Sequence, residues 1–199
     1  YADELWKLDQ AHRYFEQSVK EVLSLSDSLS ELIKQVRNSY FVFWQDLQKS
    51  YQQLIADSGW QFDNTLRNDE LFDQRIAPLL KNSEKVAYFM VDALRFELGK
   101  ELQHQLEQYF EVKLDPGAAF VPTVTRYAMA ALLPEAKKAM ELRMKGKSLE
   151  PFLKDRHIKG PPERLEYIKT DCNYGDRADL ITRDDLLSSD IPDKDLLIV

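Results

Sequence analysis

Leu5, Leu8, Phe15, Val19 and Val22 recur at near-helical spacing, and the pattern continues well beyond them. A second run passes from Leu29 through Val36, Tyr40, Trp44 and Leu47 to Ile55. It predicts one long helix opening near Ser28, with Glu31 at capping-box spacing, and stopping near Ser58-Gly59. Tyr40, Phe41, Phe43, Trp44 and Tyr51 cover more than one face of that helix, so most are expected in a core and the rest at an interface. A third, weaker helix is expected over residues 69–81, with Pro78 near its end.

The pattern changes at Lys81-Asn82-Ser83-Glu84. Val86 to Val91 is an unbroken apolar run of strand length that ends in Asp92, as expected for a strand buried on both faces. Leu94, Leu98, Leu102 and Leu106 then step by four, which predicts a helix. Phe110 to Leu114 alternates like a strand, and Leu196-Leu197-Ile198-Val199 reads as another. Strand, helix, strand is the start of an α/β sheet. The expected organisation is a helical region over 1–80 followed by an α/β domain over 84–199. The chain opens on Tyr1 and stops within a core-like strand, so it reads as an excised piece truncated at its C-terminal side.

Charge modifies this picture locally. The 199 residues carry 27 Lys+Arg and 34 Asp+Glu, a net of −7, with 44% hydrophobic residues. That is globular composition and argues against wholesale coating of nucleic acid. Residues 137–164 hold 9 basic and 4 acidic groups, whereas 171–195 hold 8 Asp against 3 basic groups. The basic stretch, broken by Gly160-Pro161-Pro162, reads as a charged, solvated connector. Its local positive charge leaves nucleic acid open as a partner, although Phe152 alone is no stacking platform. The single Cys172 allows no internal disulfide and fits a reducing, cytoplasmic setting. No apolar run is long enough for a membrane span, so no membrane partner is expected.

Two features carry candidate chemistry. Asp92 sits at the carboxyl end of the first predicted parallel strand, where ligands of open α/β sheets bind. It can hold a hard or borderline cation, or it can N-cap the next helix. Thr125 falls near the start of a small-residue helix in Pro122-Thr123-Val124-Thr125-Arg126-Tyr127-Ala128-Met129-Ala130-Ala131-Leu132-Leu133-Pro134. A hydroxyl there can serve as a metal-activated nucleophile or as an ordinary cap, and Thr123 stands beside it as an ordinary strand-end residue.

These two segments resemble a family. Asp92-Ala93-Leu94-Arg95-Phe96-Glu97 is similar to the "DALRYE" signature of PglZ domains, and the Pro122–Pro134 stretch is similar to their second signature. The order and the spacing of about thirty residues also match, and the helical stretch before them resembles the region upstream of such domains. PglZ domains belong to the alkaline-phosphatase superfamily and occur in BREX phage-defence systems and in some response regulators. The resemblance implies the first part of a doubly wound, alkaline-phosphatase-like sheet. It also implies two divalent metals, typically zinc, with Asp92 as a ligand and Thr125 as nucleophile and metal contact. Thr123 is the second choice for the nucleophile. Arg95 and Arg126 are candidate phosphate contacts or plain salt-bridge partners, and Glu97 is assigned no role.

The superfamily draws its remaining ligands, Asp and His, from segments past Val199. His12, His104 and His157 lack ligand spacing to one another or to Asp92 and are expected to be non-ligands. The chain by itself is expected to carry half a two-metal site and no turnover. The implied parent activity is a metal-dependent phosphatase or phosphodiesterase acting on a phosphate ester or phosphodiester, a nuclease being one version. The alternative is a non-catalytic scaffolding module that docks other proteins of a defence complex.

Overall fold

The computed structural model describes residues 1–22, 26–59, 65–189 and 191–199. They divide into two compact units: Tyr1–Asn64 with Arg95–Pro116, and Thr65–Leu94 with Gly117–Val199. The protein is mixed α/β, with long N-terminal helices followed by small sheets.

The first unit holds α1 (Trp6–Glu21), α2 (Asp27–Ser58) and α5 (Phe96–Leu106). The α2 cap is Ser26, two residues before the expected Ser28. Ser26 has extended backbone angles, and its hydroxyl accepts the Leu29 N–H at 3.2 Å. Gly59 closes the helix at φ 73°, a conformation that costs glycine little, and its N–H reaches the Ile55 carbonyl. Helix α1 lies along α2 through polar and ring contacts. The Arg37 guanidinium donates twice to Glu16 at 2.7 Å, Tyr40 donates to Asp9 at 2.7 Å, and His12 stacks on Tyr40 with centroids 3.7 Å apart. Arg13 pairs with Glu101 of α5 at 2.5 Å.

The expectation that most of the α2 aromatics are core is corrected here. Tyr40 and Trp44, one turn apart, are half-buried, whereas Phe41, Phe43 and Tyr51 are exposed. Residues 40 and 44 share one helix face, and 41 and 43 project from other faces. The Phe110–Leu114 strand is also absent. Among the described residues that segment pairs in no ladder, and Leu114 instead packs against the α5 backbone at Gly99. Alternation marks a half-buried extended segment; a ladder also needs a partner strand.

The second unit begins with β1 (Leu66–Arg67) and a helical stretch in three pieces: α3 (Asn68–Leu71), a π-turn (Phe72–Ile76) and α4 (Ala77–Lys81). The expected single helix over 69–81 is interrupted where the Ala77 N–H reaches back to the Phe72 carbonyl, just before Pro78. The main sheet is parallel, in the order β2 (Val86–Tyr88), β8 (Leu196–Ile198), β7 (Ala178–Leu180). The returning strand expected at Leu196 is therefore the central one. Leu196 and Ile198 are buried in a core with Phe72, Leu80, Tyr88, Leu133, Tyr167 and Ala178. Strand β2 is not buried on both faces. It is an edge strand, and Tyr88 is buried while Phe89 and Val91 are more than half exposed.

The connector expected over 137–164 is instead mostly an antiparallel sheet of β4 (Met140–Lys145), β5 (Ser148–Leu153) and β6 (Arg156–His157). It lies between α7 (Ala136–Ala139) and α8 (Pro161–Glu166). A two-residue turn, Gly146-Lys147, joins β4 to β5, and Gly146 supplies the positive φ of 66° that such hairpins need. Two-residue β3 (Gly117–Ala118) runs parallel to β1. Helix α6 (Thr125–Ala131) follows, and α9 (Arg183–Ser188) lies between β7 and β8.

Candidate active site

Asp92 lies just past the carboxyl end of β2, after Met90 has donated its N–H to the Val199 carbonyl at 2.9 Å. The next residue, Ala93, has φ 53°. A Cβ-bearing residue in that region carries a backbone cost of about 1–3 kcal/mol, so the turn after Asp92 is held there by its surroundings. Helix α5 starts only at Phe96, with Arg95 at its N-cap position, so Asp92 does not cap it.

Thr125 is the first residue of α6, and Val124 occupies the N-cap position with no side-chain cap. The Thr125 hydroxyl turns to Asp92 instead. Its Oγ1 stands 3.2 Å from Oδ2 and 3.4 Å from Oδ1. Both side chains are exposed. The two residues are 33 positions apart in sequence and meet as a hydroxyl donor on a carboxylate.

Tyrosine hydroxyls hold this arrangement from below. Tyr88 of β2 donates to the Leu132 carbonyl at the end of α6 at 3.2 Å, and Tyr127 of α6 donates to the Leu149 carbonyl at 2.9 Å. Tyr167 donates to the Pro134 carbonyl at 3.1 Å. Ala130 and Ala131 are fully buried, so the small residues of α6 let its backbone approach the core closely. Burial pushes the Tyr88 and Tyr167 hydroxyls up from their ordinary pKa, so both remain donors through the usual pH range.

Other sequence-nominated residues are engaged elsewhere. Arg126 Nη1 is 3.1 Å from Glu150, which also accepts from Ser148 at 2.6 Å. The Ser148 hydrogen bond, followed by His157 and the Arg126 charge, holds the Glu150 carboxyl below its usual value. Arg95 pairs at 2.9 Å with Glu97, which is fully buried and takes a further hydrogen bond from Tyr1 at 3.3 Å. Thr123 is exposed in the loop before α6. His157 sits between Lys145 at 3.2 Å and Glu150 at 3.4 Å, His104 is exposed on α5, and His12 is stacked on Tyr40. Several cations of the basic stretch are neutralised in place: Arg143 by Glu141 and Asp155, Lys154 by Glu135, Arg156 by Asp171.

A further arginine of the second unit carries no sequence signal. Arg164, on α8, is half-buried. Its buried Nε has no hydrogen-bond partner. Burial lowers its pKa from the ordinary value, yet a guanidinium remains charged.

Asp92 and Thr125 can be tested as cation donors. Two oxygens 3.2 Å apart match the separation of neighbouring ligands on one cation with metal–oxygen bonds of about 2.1 Å. The pair thus fits two positions of a coordination sphere. Among the described residues, no group of three or more His, Cys, Asp or Glu completes it.

A parallel sheet with a carboxylate just past its edge strand, bonded to a helix-borne hydroxyl, defines an α/β protein whose architecture is consistent with an alkaline-phosphatase-like start. The chain belongs to the family of BREX system PglZ alkaline phosphatase-like domains, whose family model matches residues 71–196. It is also similar to the alkaline phosphatase-like protein BrxZ of Escherichia coli O9:H4 (strain HS), with 27% identity over 146 residues. That match covers 67% of this chain and 17% of BrxZ, so the chain spans a small part of its relative's length. No solved structure matches significantly. Among the described residues, no helix is long and apolar enough to cross a membrane.

Proposed function

We propose that this chain contributes part of the active site of a metal-dependent phosphatase or phosphodiesterase in a cytoplasmic bacterial phage-defence system. The observation that carries the reading is the Thr125 hydroxyl on the Asp92 carboxylate at 3.2 Å, within a PglZ-family domain. Thr125 Oγ1 is the nucleophile. It attacks phosphorus in line as its proton passes to solvent, the P–O bond to the leaving alcohol breaks as that oxygen takes up a proton, and water then hydrolyses the phosphothreonine to free the threonine again. Asp92 orients the hydroxyl and, with Thr125, offers oxygens to a divalent cation, zinc by family analogy. A bound cation supplies positive charge that favours the ionised hydroxyl and the phosphoryl oxygens. Two cations in all need further donors beyond these two, which no cluster among the described residues supplies. The substrate class is a phosphate ester or phosphodiester, nucleic acid included.

The test is turnover and metal content of the full-length protein. Thr125→Ala should abolish hydrolysis of an aryl phosphate or phosphodiester, and Asp92→Ala should lower bound metal relative to wild type. Full turnover in Thr125→Ala would remove the nucleophile assignment.

A second reading has its own observation. Leu32, Phe41, Val42 and Leu54 on α2 are each about half exposed or more, which suits a helix that docks another protein of the defence complex. Wild-type protein that binds no metal, with defence surviving Asp92→Ala, favours this scaffolding role.

A further inference from the structure

We propose that Glu150 is a positioning residue for Thr125: it grips Arg126 and so fixes the first turn of α6, from which the Thr125 hydroxyl reaches Asp92. This rests on the reading of Thr125 as the nucleophile of a phosphoryl-transfer site.

The need for a brace follows from the helix itself. Helix α6 has seven residues, too few to be stable alone, so its direction is set by what it packs on. A threonine at a helix start ordinarily spends its hydroxyl on a cap. Thr125 spends it on Asp92, and Val124 at the N-cap position makes no side-chain bond. The first turn is held from the side instead. Arg126 Nη1 meets Glu150 Oε1 at 3.1 Å, and the Tyr127 hydroxyl donates to the Leu149 carbonyl at 2.9 Å. Two consecutive residues of α6 are thus tied to two consecutive residues of β5. The Arg126 guanidinium also lies over the Tyr127 ring, 5.1 Å from its centroid.

Glu150 is anchored in its turn. Its Oε1 also accepts the Ser148 hydroxyl at 2.6 Å, and its Oε2 stands 3.4 Å from His157 Nε2. The Ser148 bond foremost keeps the carboxyl below its usual range, so it stays ionised for Arg126. Lys145 Nζ lies 3.2 Å from His157 Nδ1. An ammonium only donates, so Nδ1 accepts and Nε2 carries the hydrogen that faces Glu150. The imidazole is stacked on Phe152 with centroids 4.8 Å apart. These groups ride on β5 and its neighbours β4 and β6, and β4 and β5 pair over six residues each. Arg126 is exposed and Glu150 partly buried. Such an ion pair adds little to global stability, whereas a small misplacement of a nucleophile slows its reaction strongly. Loss of Glu150 should therefore show in turnover more than in melting.

The experiment is steady-state hydrolysis of para-nitrophenyl phosphate and of bis-para-nitrophenyl phosphate by the full-length, metal-loaded protein. Thermal midpoint, bound metal and amide exchange of α6 are measured on the same samples. Glu150→Ala should lower kcat about 3- to 10-fold with KM within about twofold, the size expected for losing one partly exposed charged hydrogen bond. Glu150→Gln keeps an acceptor for Arg126 and should fall between. Arg126→Ala should match Glu150→Ala, and the double variant should be no slower than either single one, since all three lose the same contact. The α6 amides should exchange faster in Glu150→Ala, while bound metal stays at the wild-type level. Additive losses in the double variant overturn the proposal, as does unchanged exchange in α6. A lowered midpoint with wild-type kcat marks a merely structural residue and overturns it. Arg126→Ala with raised KM and unchanged kcat makes Arg126 a substrate contact and overturns it too. If Glu150→Ala fails to fold, Arg126→Ala decides, and wild-type kcat there overturns the proposal. Wild-type kcat in Glu150→Ala beside an inactive Thr125→Ala removes only the Glu150 role. Full turnover in Thr125→Ala, or wild-type protein that hydrolyses neither ester, removes the site reading and the proposal with it.

Discussion

The Tyr88 hydroxyl donates to the Leu132 carbonyl at 3.2 Å, which ties the strand leading to Asp92 to the helix that opens with Thr125. Tyr88 is almost fully buried, so Tyr88→Phe leaves that carbonyl short of a partner at the end of α6. The variant should lose about 1–2 kcal/mol of stability, read as a lower urea midpoint with an unchanged slope. A midpoint equal to wild type would show that the bond contributes nothing net.

Leu196 is fully buried in the central strand β8, paired on both sides with β2 and β7. Leu196→Ala leaves a cavity in the core shared with Phe72 and Tyr167. A loss of about 2–5 kcal/mol is expected, large enough to appear as poor expression or a much reduced thermal midpoint. Substituting Leu197, which is only half-buried on the same strand, should cost less.

Gly146 holds φ 66° in the turn between β4 and β5, with open space where a Cβ would stand. Gly146→Ala therefore meets backbone strain and no clash. The expected cost is about 1 kcal/mol, and Gly146→Asn should cost less because asparagine tolerates that region better. Thermal denaturation of the two variants side by side checks the order.

Burial pushes the Cys172 thiol from an ordinary 9.0 up to about 11. The folded state thus holds this proton more tightly than the unfolded chain. Its contribution to stability is complete below pH 9 and is lost as pH rises through about 11. Iodoacetamide should label Cys172 far more slowly than a free thiol at pH 8, with the rate climbing toward pH 11. A labelling profile centred near 9 would contradict this.

Much of the scaffold was legible in the order of residues. Period-3.6 spacing marked α1, α2 and α5, and the apolar runs at Val86 and Leu196 marked two strands of the main sheet. The two motifs marked Asp92 and Thr125, because a carboxylate after a strand and a hydroxyl before a small-residue helix are local patterns. Periodicity names an apolar face but not how many neighbours will cover it. Phe41 and Tyr51 on α2 and Phe89 just past β2 therefore emerged exposed. High charge across 137–164 hid the alternation of Met140, Leu142 and Met144 against Leu149, Pro151 and Leu153, although Lys145-Gly146-Lys147-Ser148 was a readable hairpin signal.

By itself, the sequence determined the family, the helices and the two residues of the candidate site, since these depend on local pattern and short-range sterics. Only the tertiary structure decided that Thr125 and Asp92 touch and that Arg126 is bound to Glu150. Those are contacts between residues 24 and 33 positions apart, fixed by how β2, α6 and the β4–β5 hairpin pack around one core, and no local rule encodes them.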